Sequence, residues 1–182
     1  MTQTNSEISS YPEALPLGEN EREIKLVVFL LAGVEFGLPI GQVREIIRVA
    51  EITRMPKAPR FLAGILNLRG RIVSVLDFKK RFELPDCDLT SDARIIMVEV
   101  GGQIVGLLVD KVLEVQKIPE SKRSAPAGPL LTIRPEFLSG VAEAKNGLIL
   151  LLDLDRVFNL DEIKSLADSE WSASTEERLN AR

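Results

Sequence analysis

An internal repeat is the feature of this sequence that most constrains its fold. The segment FLAGILNLRGRIVSVLDFKKRF, from Phe61, aligns without a gap with FLSGVAEAKNGLILLLDLDRVF, from Phe137, at an offset of 76 residues. Upstream, VVFLLAGVEFGLPIGQVREI aligns with IIMVEVGGQIVGLLVDKVLEV at an offset of 69, with Gly37 opposite Gly106. The second copy therefore carries seven additional residues between its two blocks (76 − 69 = 7). A duplicated unit follows, with half-repeats at about 24–82 and 94–158.

Short apolar segments separated by glycine turns predict that both copies are built from strands. The apolar residues are mainly Val, Ile and Leu, while aromatic residues make up only 5% of the chain. We therefore predict a mainly β fold of two small barrels, because closing a sheet leaves no unpaired edges. Eight strands are expected at about 24–31, 34–38, 64–68, 71–76, 94–100, 103–109, 140–144 and 147–152.

Local patterns predict a few helical segments beside the strands. The apolar spacing of Val43, Ile46 and Ile47 favours a short helix over residues 42–49. Asp77 and Asp153 each follow a strand, and we expect both carboxylates to cap helical turns.

The chain divides into one central domain and two tails. Residues 1–22 are polar and are expected to be disordered, and 23–165 form the double-barrel domain. A C-terminal helix is predicted from Leu160, with its end and an acidic tail at 166–182. The proline-rich loop 119–135 contains the additional residues of the second copy, and it is either functional or a plain connector.

Composition excludes several classes of function. There is no histidine and a single cysteine, Cys87, which removes the usual ligands of a structural metal site and the commonest general base. The formal net charge of −4 argues against nucleic acid as a partner. No apolar run approaches the ~20 residues of a membrane helix, so we expect no membrane insertion. These observations predict a cytoplasmic protein that is not an enzyme and that binds no metal or cofactor.

The alternative is a small-molecule-binding or catalytic double barrel that uses carboxylates. Asp77, Asp110 and Asp153 are its candidate residues, and it predicts a deep polar pocket containing at least two of them. No nucleotide-binding or nucleophile-elbow motif supports it.

The turn at residues 67–71 (NLRGR) is where the two copies differ most in chemistry, since its counterpart at 143–147 reads EAKNG. Arg69 offers the fixed donors that suit a carboxylate, and Glu45 is its expected internal partner. As an exposed pair it would contribute only ~0–1 kcal/mol to stability. The charged run Lys79-Lys80-Arg81 is interpreted as the solvated side of an amphipathic turn rather than as a nucleic-acid patch.

The blocks FLAGILNLRGRIVSVLDF, VGLLVDKVLEV and LILLLDLDRVF, in this order, resemble the bacterial chemotaxis coupling protein family CheW over about residues 22–165. The resemblance implies two five-stranded SH3-like barrels that enclose a common core. It also implies an adaptor between methyl-accepting chemoreceptors and the histidine kinase CheA, recruited to membrane receptor arrays. Its partners would be the receptor's cytoplasmic tip, the regulatory domain of CheA, and other CheW-like domains in rings.

The same resemblance implies roles for individual residues. Val43 and Glu45 match family positions near the receptor- and kinase-binding surface. Arg69 matches an arginine that acts together with the glutamate at 45, and Gly64 matches a position implicated in kinase contact.

In the second copy, Gly106, Val112 and Val115 match the part of the family's groove that receives the receptor tip. An apolar groove of this kind suits a helical hairpin as its ligand. Ordinary core packing is an equal alternative for Val43 and Val112.

Overall fold

The computed structural model describes residues 22–126 and 133–158, together with positions 161, 162 and 165. Apart from Arg22, the N-terminal tail predicted at 1–22 lies outside the described residues. So do the C-terminal helix predicted from Leu160 and the tail at 166–182, apart from the three positions just named. Residues 127–132 of the predicted 119–135 loop are also outside.

Strands dominate the described part of the chain. Two helices are single turns, α1 (Phe78–Arg81) and α2 (Leu154–Val157), and 3-10 turns lie at Ile40–Gln42, Glu120–Lys122 and Pro135–Phe137. The described positions 161, 162 and 165 are also helical. The strands are β1 (Glu23–Leu31), β2 (Val34–Pro39), β3 (Val43–Arg48), β4 (Leu62–Leu68), β5 (Arg71–Asp77), β6 (Arg94–Val100), β7 (Gln103–Val109), β8 (Lys111–Pro119), β9 (Arg123–Ser124), β10 (Leu138–Ala144) and β11 (Gly147–Leu152).

These strands form two sheets, which are the two SH3-like lobes of a mainly β fold. The first lobe has the order β8-β1-β2-β11-β10-β9, and the second has the order β3-β6-β7-β5-β4. Most neighbours are antiparallel, but β2 and β11 pair in parallel in the first lobe, as β5 and β7 do in the second. The predicted fold class is confirmed, with the two-residue strand β9 added at one edge.

The two half-repeats exchange strands between the lobes. Strand β3 of the first half pairs with β6 of the second, while β8 of the second half pairs with β1 of the first. Val43 lies opposite Val98, and Val112 lies opposite Phe29. These two pairs are equivalent, because Val112 is 69 residues after Val43 and Val98 is 69 residues after Phe29. Each lobe therefore contains strands from both halves of the chain.

One large apolar core joins the lobes. It contains buried side chains from both sheets, including Phe29 and Phe36 of the first lobe and Leu107 of the second. Phe82, which follows α1, stacks on Phe36 with the ring centres 5.9 Å apart. Since each fully buried Phe or Leu contributes about 1.5–3 kcal/mol, the shared core fixes the lobes against each other.

Each lobe also has a smaller interior of its own. In the first lobe it is formed by residues such as Val28 and Ile149, and in the second by Val75, Ile95 and Met97. The alternating burial along these strands places one set of side chains in the shared core and the other inside the barrel.

The eight predicted strands are all present, with ends that differ by two residues or fewer. The predicted helix over residues 42–49 is wrong, because Val43–Arg48 is strand β3 and pairs with β6. Strands β8 and β9 were not predicted. The tight turn of the second copy occupies Lys145–Asn146, and Gly147 begins β11.

Candidate protein-binding site

Arg69 occupies a strained turn between β4 and β5. Leu68 pairs with Arg71, so Arg69 and Gly70 alone form the turn, with φ of 52° and 84°. Such turns favour Asn, Asp or Gly at these positions, and a left-handed φ is uncommon for arginine. The Asn67 side chain stabilises the turn by accepting a hydrogen bond from Gly70 N at 2.8 Å. The guanidinium group is therefore projected from a fixed backbone position.

Glu45 lies on β3 and faces this turn. Its carboxylate accepts a hydrogen bond from Arg69 Nη2 at 3.2 Å, which is the pairing that the sequence predicts. The Arg69 side chain is 80% exposed and that of Glu45 is 32% exposed. Because solvent screens such a pair, it contributes little to stability, and it mainly orients the two side chains.

The Arg69–Glu45 pair borders a cavity of about 590 Å³ at the end of the second lobe. Two more arginines, Arg44 and Arg71, line it, and its apolar wall includes the buried Met97. We call this the arginine cavity, defined by Arg44, Glu45, Leu68, Arg69, Arg71 and Met97. It combines guanidinium donors with apolar surface, which is a combination suited to protein recognition.

Val43 and Val112 occupy matching places in the two lobes. Both side chains are partly buried and pack against the shared core. Val43 and Val112 therefore take part in core packing, as the alternative interpretation expects. Part of each side chain nevertheless stays exposed and available to a partner.

Val115 is the exposed member of the predicted groove residues. It lies on β8 opposite Val27, and 53% of it is accessible. Leu113 on the same strand is also exposed, at 38%. β8 therefore presents apolar surface at the edge of the first lobe.

Gly64 and Gly106 are buried inside the second lobe. A Cβ on Gly64 would lie 2.2 Å from the Thr53 carbonyl oxygen, and one on Gly106 would lie 2.8 Å from Ile95 Cγ2. Both glycines are required by close packing, and the structure does not bring them to the Arg69–Glu45 surface.

The family model of the CheW-like domain, which describes the sequences of that family, matches residues 25–162 of the chain. The chain belongs to the CheW-like family.

Individual relatives agree with this assignment. The CheW-like chain is 27% identical over 158 residues to the chemotaxis protein CheW of Treponema pallidum, which covers 85% of this chain and 93% of the relative. It is 30% identical over 142 residues to that of Bacillus subtilis, covering 78% and 90%. The crystal structure of the scaffolding protein TtCheW from Thermoanaerobacter tengcongensis matches with a TM-score of 0.71 and 40% identity, covering 78% of this chain and 91% of that one. The CheW-like chain is thus a scaffold-type adaptor of chemotaxis.

The three carboxylates of the alternative enzyme function all have partners within this CheW-like fold, Asp110 pairing with Lys79. Asp77 accepts hydrogen bonds from the backbone N–H groups of Lys79 and Lys80, and Asp153 accepts one from Arg156 N. Both predicted helix caps are confirmed. Asp110 lines a cavity of about 360 Å³ beside Cys87, while Asp153 lines a different one of about 410 Å³. Each of these two cavities contains only one of the three carboxylates, whereas the alternative requires at least two in one pocket.

The interpretation of Lys79-Lys80-Arg81 as a solvated side is wrong for two of its three residues. Lys80 is exposed, but Lys79 is buried and its ammonium group contacts Asp110 Oδ1 at 2.7 Å. The Arg81 guanidinium lies 4.7 Å from the centre of the Phe61 ring, and it pairs with Glu162 at 2.9 Å. The tertiary fold brings partners to both cations from distant parts of the chain, and the local pattern does not reveal them.

Arg44 and Arg71 are candidate site residues that sequence reasoning missed. At the same offsets, their counterparts in the other copy are Leu113 and Gly147. The comparison of copies that singled out Arg69 could therefore have found both.

No helix within the described residues is long and apolar enough to cross a membrane.

Proposed function

We propose that this chain couples methyl-accepting chemoreceptors to the histidine kinase CheA and that it does so without catalysis. Its partners are the cytoplasmic tip of the receptor, the regulatory domain of CheA, and other CheW-like domains in rings. The observation that carries the proposal is the Arg69–Glu45 pair. A strained turn presents an exposed arginine that the fold itself does not need, in a chain of the CheW-like family.

The receptor tip is assigned to the apolar surface beside Val112 and Val115. Val115 and Leu113 give β8 exposed apolar side chains, and an amphipathic helical hairpin is the ligand that such a surface fits. The partly buried Val43 supports the corresponding strand of the second lobe.

The kinase is assigned to the second lobe, where Glu45 and Arg69 lie. Gly64 supports this surface indirectly, since it allows the Thr53 backbone to lie against β4. Gly106 acts in the same indirect way through its close packing on Ile95. Binding both partners at once recruits the chain to receptor arrays at the membrane, and receptor conformation then biases the state of the kinase.

The charge reversal Arg69→Glu tests this proposal. We expect it to weaken binding of the kinase or the receptor by about tenfold or more, because it places two like charges at the site of the present pair. Co-purification with the receptor's cytoplasmic fragment and the kinase from the same organism, followed by titration, measures the effect.

Lys145→Glu is the matched control, because Lys145 is exposed in the equivalent turn of the other copy. It makes the same change of charge away from the proposed surface, and it should leave both affinities unchanged. Urea unfolding of both variants verifies that the fold is intact. Normal binding of both partners by Arg69→Glu would refute the proposed function.

A further inference from the structure

We propose that the arginine cavity binds an acidic segment of a partner protein, in which a carboxylate is flanked by aliphatic side chains. The carboxylate pairs with Arg71 and Arg69, and the aliphatic groups lie on the apolar wall. This inference rests on the proposed function, since it names the chemistry that a partner must present at that surface.

The first support is a count of donors around the cavity. Arg44 is engaged, because its Nε and Nη2 both donate to Glu99. Arg69 uses only Nη2 on Glu45, which leaves its other N–H groups available. The Arg71 side chain is exposed and has no hydrogen-bond or ion-pair partner among the residues that the structure describes. Two planar guanidinium groups thus retain donors that match a carboxylate in geometry and charge.

The second support comes from comparing the two copies of the repeat. At the offsets of 69 and 76, Arg44, Arg69 and Arg71 correspond to Leu113, Lys145 and Gly147. The same fold is therefore built in the first lobe without this group of arginines. Arg69 in addition has a φ of 52°, whereas no left-handed φ occurs at Lys145. Strain at an exposed arginine that the fold does not require points to a ligand.

The cavity also has an apolar side. Leu68, Ile72 and Ile104 form part of its lining and are partly exposed. A small inorganic anion would leave this apolar surface in contact with water. A peptide segment in which aliphatic side chains flank the carboxylate would cover it. The net charge of −4 repels extended polyanions, so a local acidic segment fits better than nucleic acid.

A peptide titration of the full chain, followed by NMR, tests the proposal. The probe is the acetylated and amidated pentapeptide Leu-Glu-Val-Glu-Leu, and its neutral counterpart replaces both Glu by Gln. We expect millimolar binding of the acidic peptide at low salt, with shift changes limited to the cavity at 44–45, 67–73, 97 and 102–104. The neutral peptide should bind at least about fivefold more weakly, and added salt should weaken the acidic peptide.

Arg71→Gln should reduce the affinity for the acidic peptide about fivefold or more, while Lys145→Gln, in the other copy's turn, should leave it unchanged. Equal binding of the two peptides, or an unaffected Arg71→Gln variant, would overturn the inference. So would inorganic phosphate causing the same shifts at the same concentration, because the cavity would then be a general oxyanion site.

The chain's own acidic tails are the competing occupant. If replacing the acidic residues of 1–21 and 166–182 by their amides raises the affinity for the peptide, a tail occupies the cavity and the assignment to a partner fails. Co-purification with receptor and kinase distinguishes the proposed coupling function from the proposed binding of an acidic segment. A chain that joins receptor and kinase normally but ignores the acidic peptide leaves the proposed function standing and this inference refuted.

Discussion

Lys79 shows how a buried charge can connect distant parts of this fold. Its ammonium group donates to Asp110 Oδ1 at 2.7 Å and to the Cys87 carbonyl oxygen at 3.1 Å, and it also lies 3.1 Å from Cys87 Sγ. Asp110 in turn accepts a hydrogen bond from Ala32 N at 2.8 Å. The lysine thereby connects α1, the loop after it and the β1–β2 turn of the other lobe.

This network predicts a loss of stability in alkaline solution. Burial alone would lower the pKa of Lys79, but Asp110 and Cys87 raise it above 10.5. Because the folded pKa exceeds the unfolded one, the stabilisation is complete below about pH 10.5 and is lost as the pH rises through the folded value. Lys79→Met should cost about 2 kcal/mol at neutral pH, since it leaves Asp110 without its cation.

Urea unfolding at several pH values measures this effect. The gap in unfolding free energy between wild type and Lys79→Met should narrow above about pH 10.5. Lys80→Met is the control, because the neighbouring Lys80 is exposed and should show no such narrowing. A gap that stays constant across the alkaline range would exclude the proposed role of the ammonium group.

The sequence predicts single residues well where two copies can be compared. The Arg69–Glu45 pair and both helix caps follow from such comparison and from local chemistry. The burial of Lys79 and Arg81 does not, because Asp110 and Phe61 are brought to them only by the tertiary fold. The partners of a long cationic side chain are not encoded in its neighbours along the chain.

At the level of elements, β3 shows why a strand can have the spacing of a helix. Its burial alternates, with Val43, Glu45 and Ile47 turned inward and Ile46 exposed at 40%. An inward position is occupied by a glutamate and an outward one by isoleucine, which shifts the apolar pattern away from a period of two. A bulge between Val43 and Glu45 displaces it further. Pairing with β6, which is remote in sequence, decides the conformation.

The closure of the second lobe depends on Gly64 in β4. The next residue, Ile65, exchanges two backbone hydrogen bonds with Thr53, at 2.8 and 2.9 Å. A Cβ at position 64 would lie 2.2 Å from Thr53 O, and its φ of 148° is unfavourable for other residues. Likewise, a Cβ on Gly140 in β10 would lie 2.9 Å from the Ser124 carbonyl oxygen. In both lobes the glycine lets a neighbouring segment cover the sheet edge.

Gly64→Ala should therefore destabilise the protein by about 3 kcal/mol or more, because the backbone of residue 53 must move and a strained φ must be retained. Chemical denaturation measures the change. Gly41→Ala is the matched control, since nothing lies within 4 Å of its Cβ, and it should stay within about 0.5 kcal/mol of wild type. Equal stability of the two variants would show that the backbone at Thr53 can move away from β4 at little cost in free energy.

On the scale of the whole molecule, the exchange of β3 and β8 makes the halves mutually dependent. Neither sheet contains strands from one half alone. The repeat revealed that there were two copies, but it could not show how they share the lobes. That depends on which long-range pairings form, since β3–β6 and β1–β8 join strands that lie far apart in sequence.

This exchange predicts complementation between fragments cut near Leu89, which is exposed in the connection between the halves. Residues 1–89 and 90–182 should each be unfolded alone, because each would leave strand edges and half of the shared core uncovered. Mixed, they should form a 1:1 complex with native-like circular dichroism and NMR dispersion. A half that folds by itself as a monomer would contradict this expectation.

The segment joining α1 to β6 therefore has a task beyond connecting two strands. If the copies were separate polypeptides, lobe formation would be a bimolecular reaction and its yield would fall on dilution. The linker of twelve residues (82–93) instead supplies each copy with its counterpart at an effective concentration of roughly millimolar. The folded state then no longer depends on how much protein the cell makes.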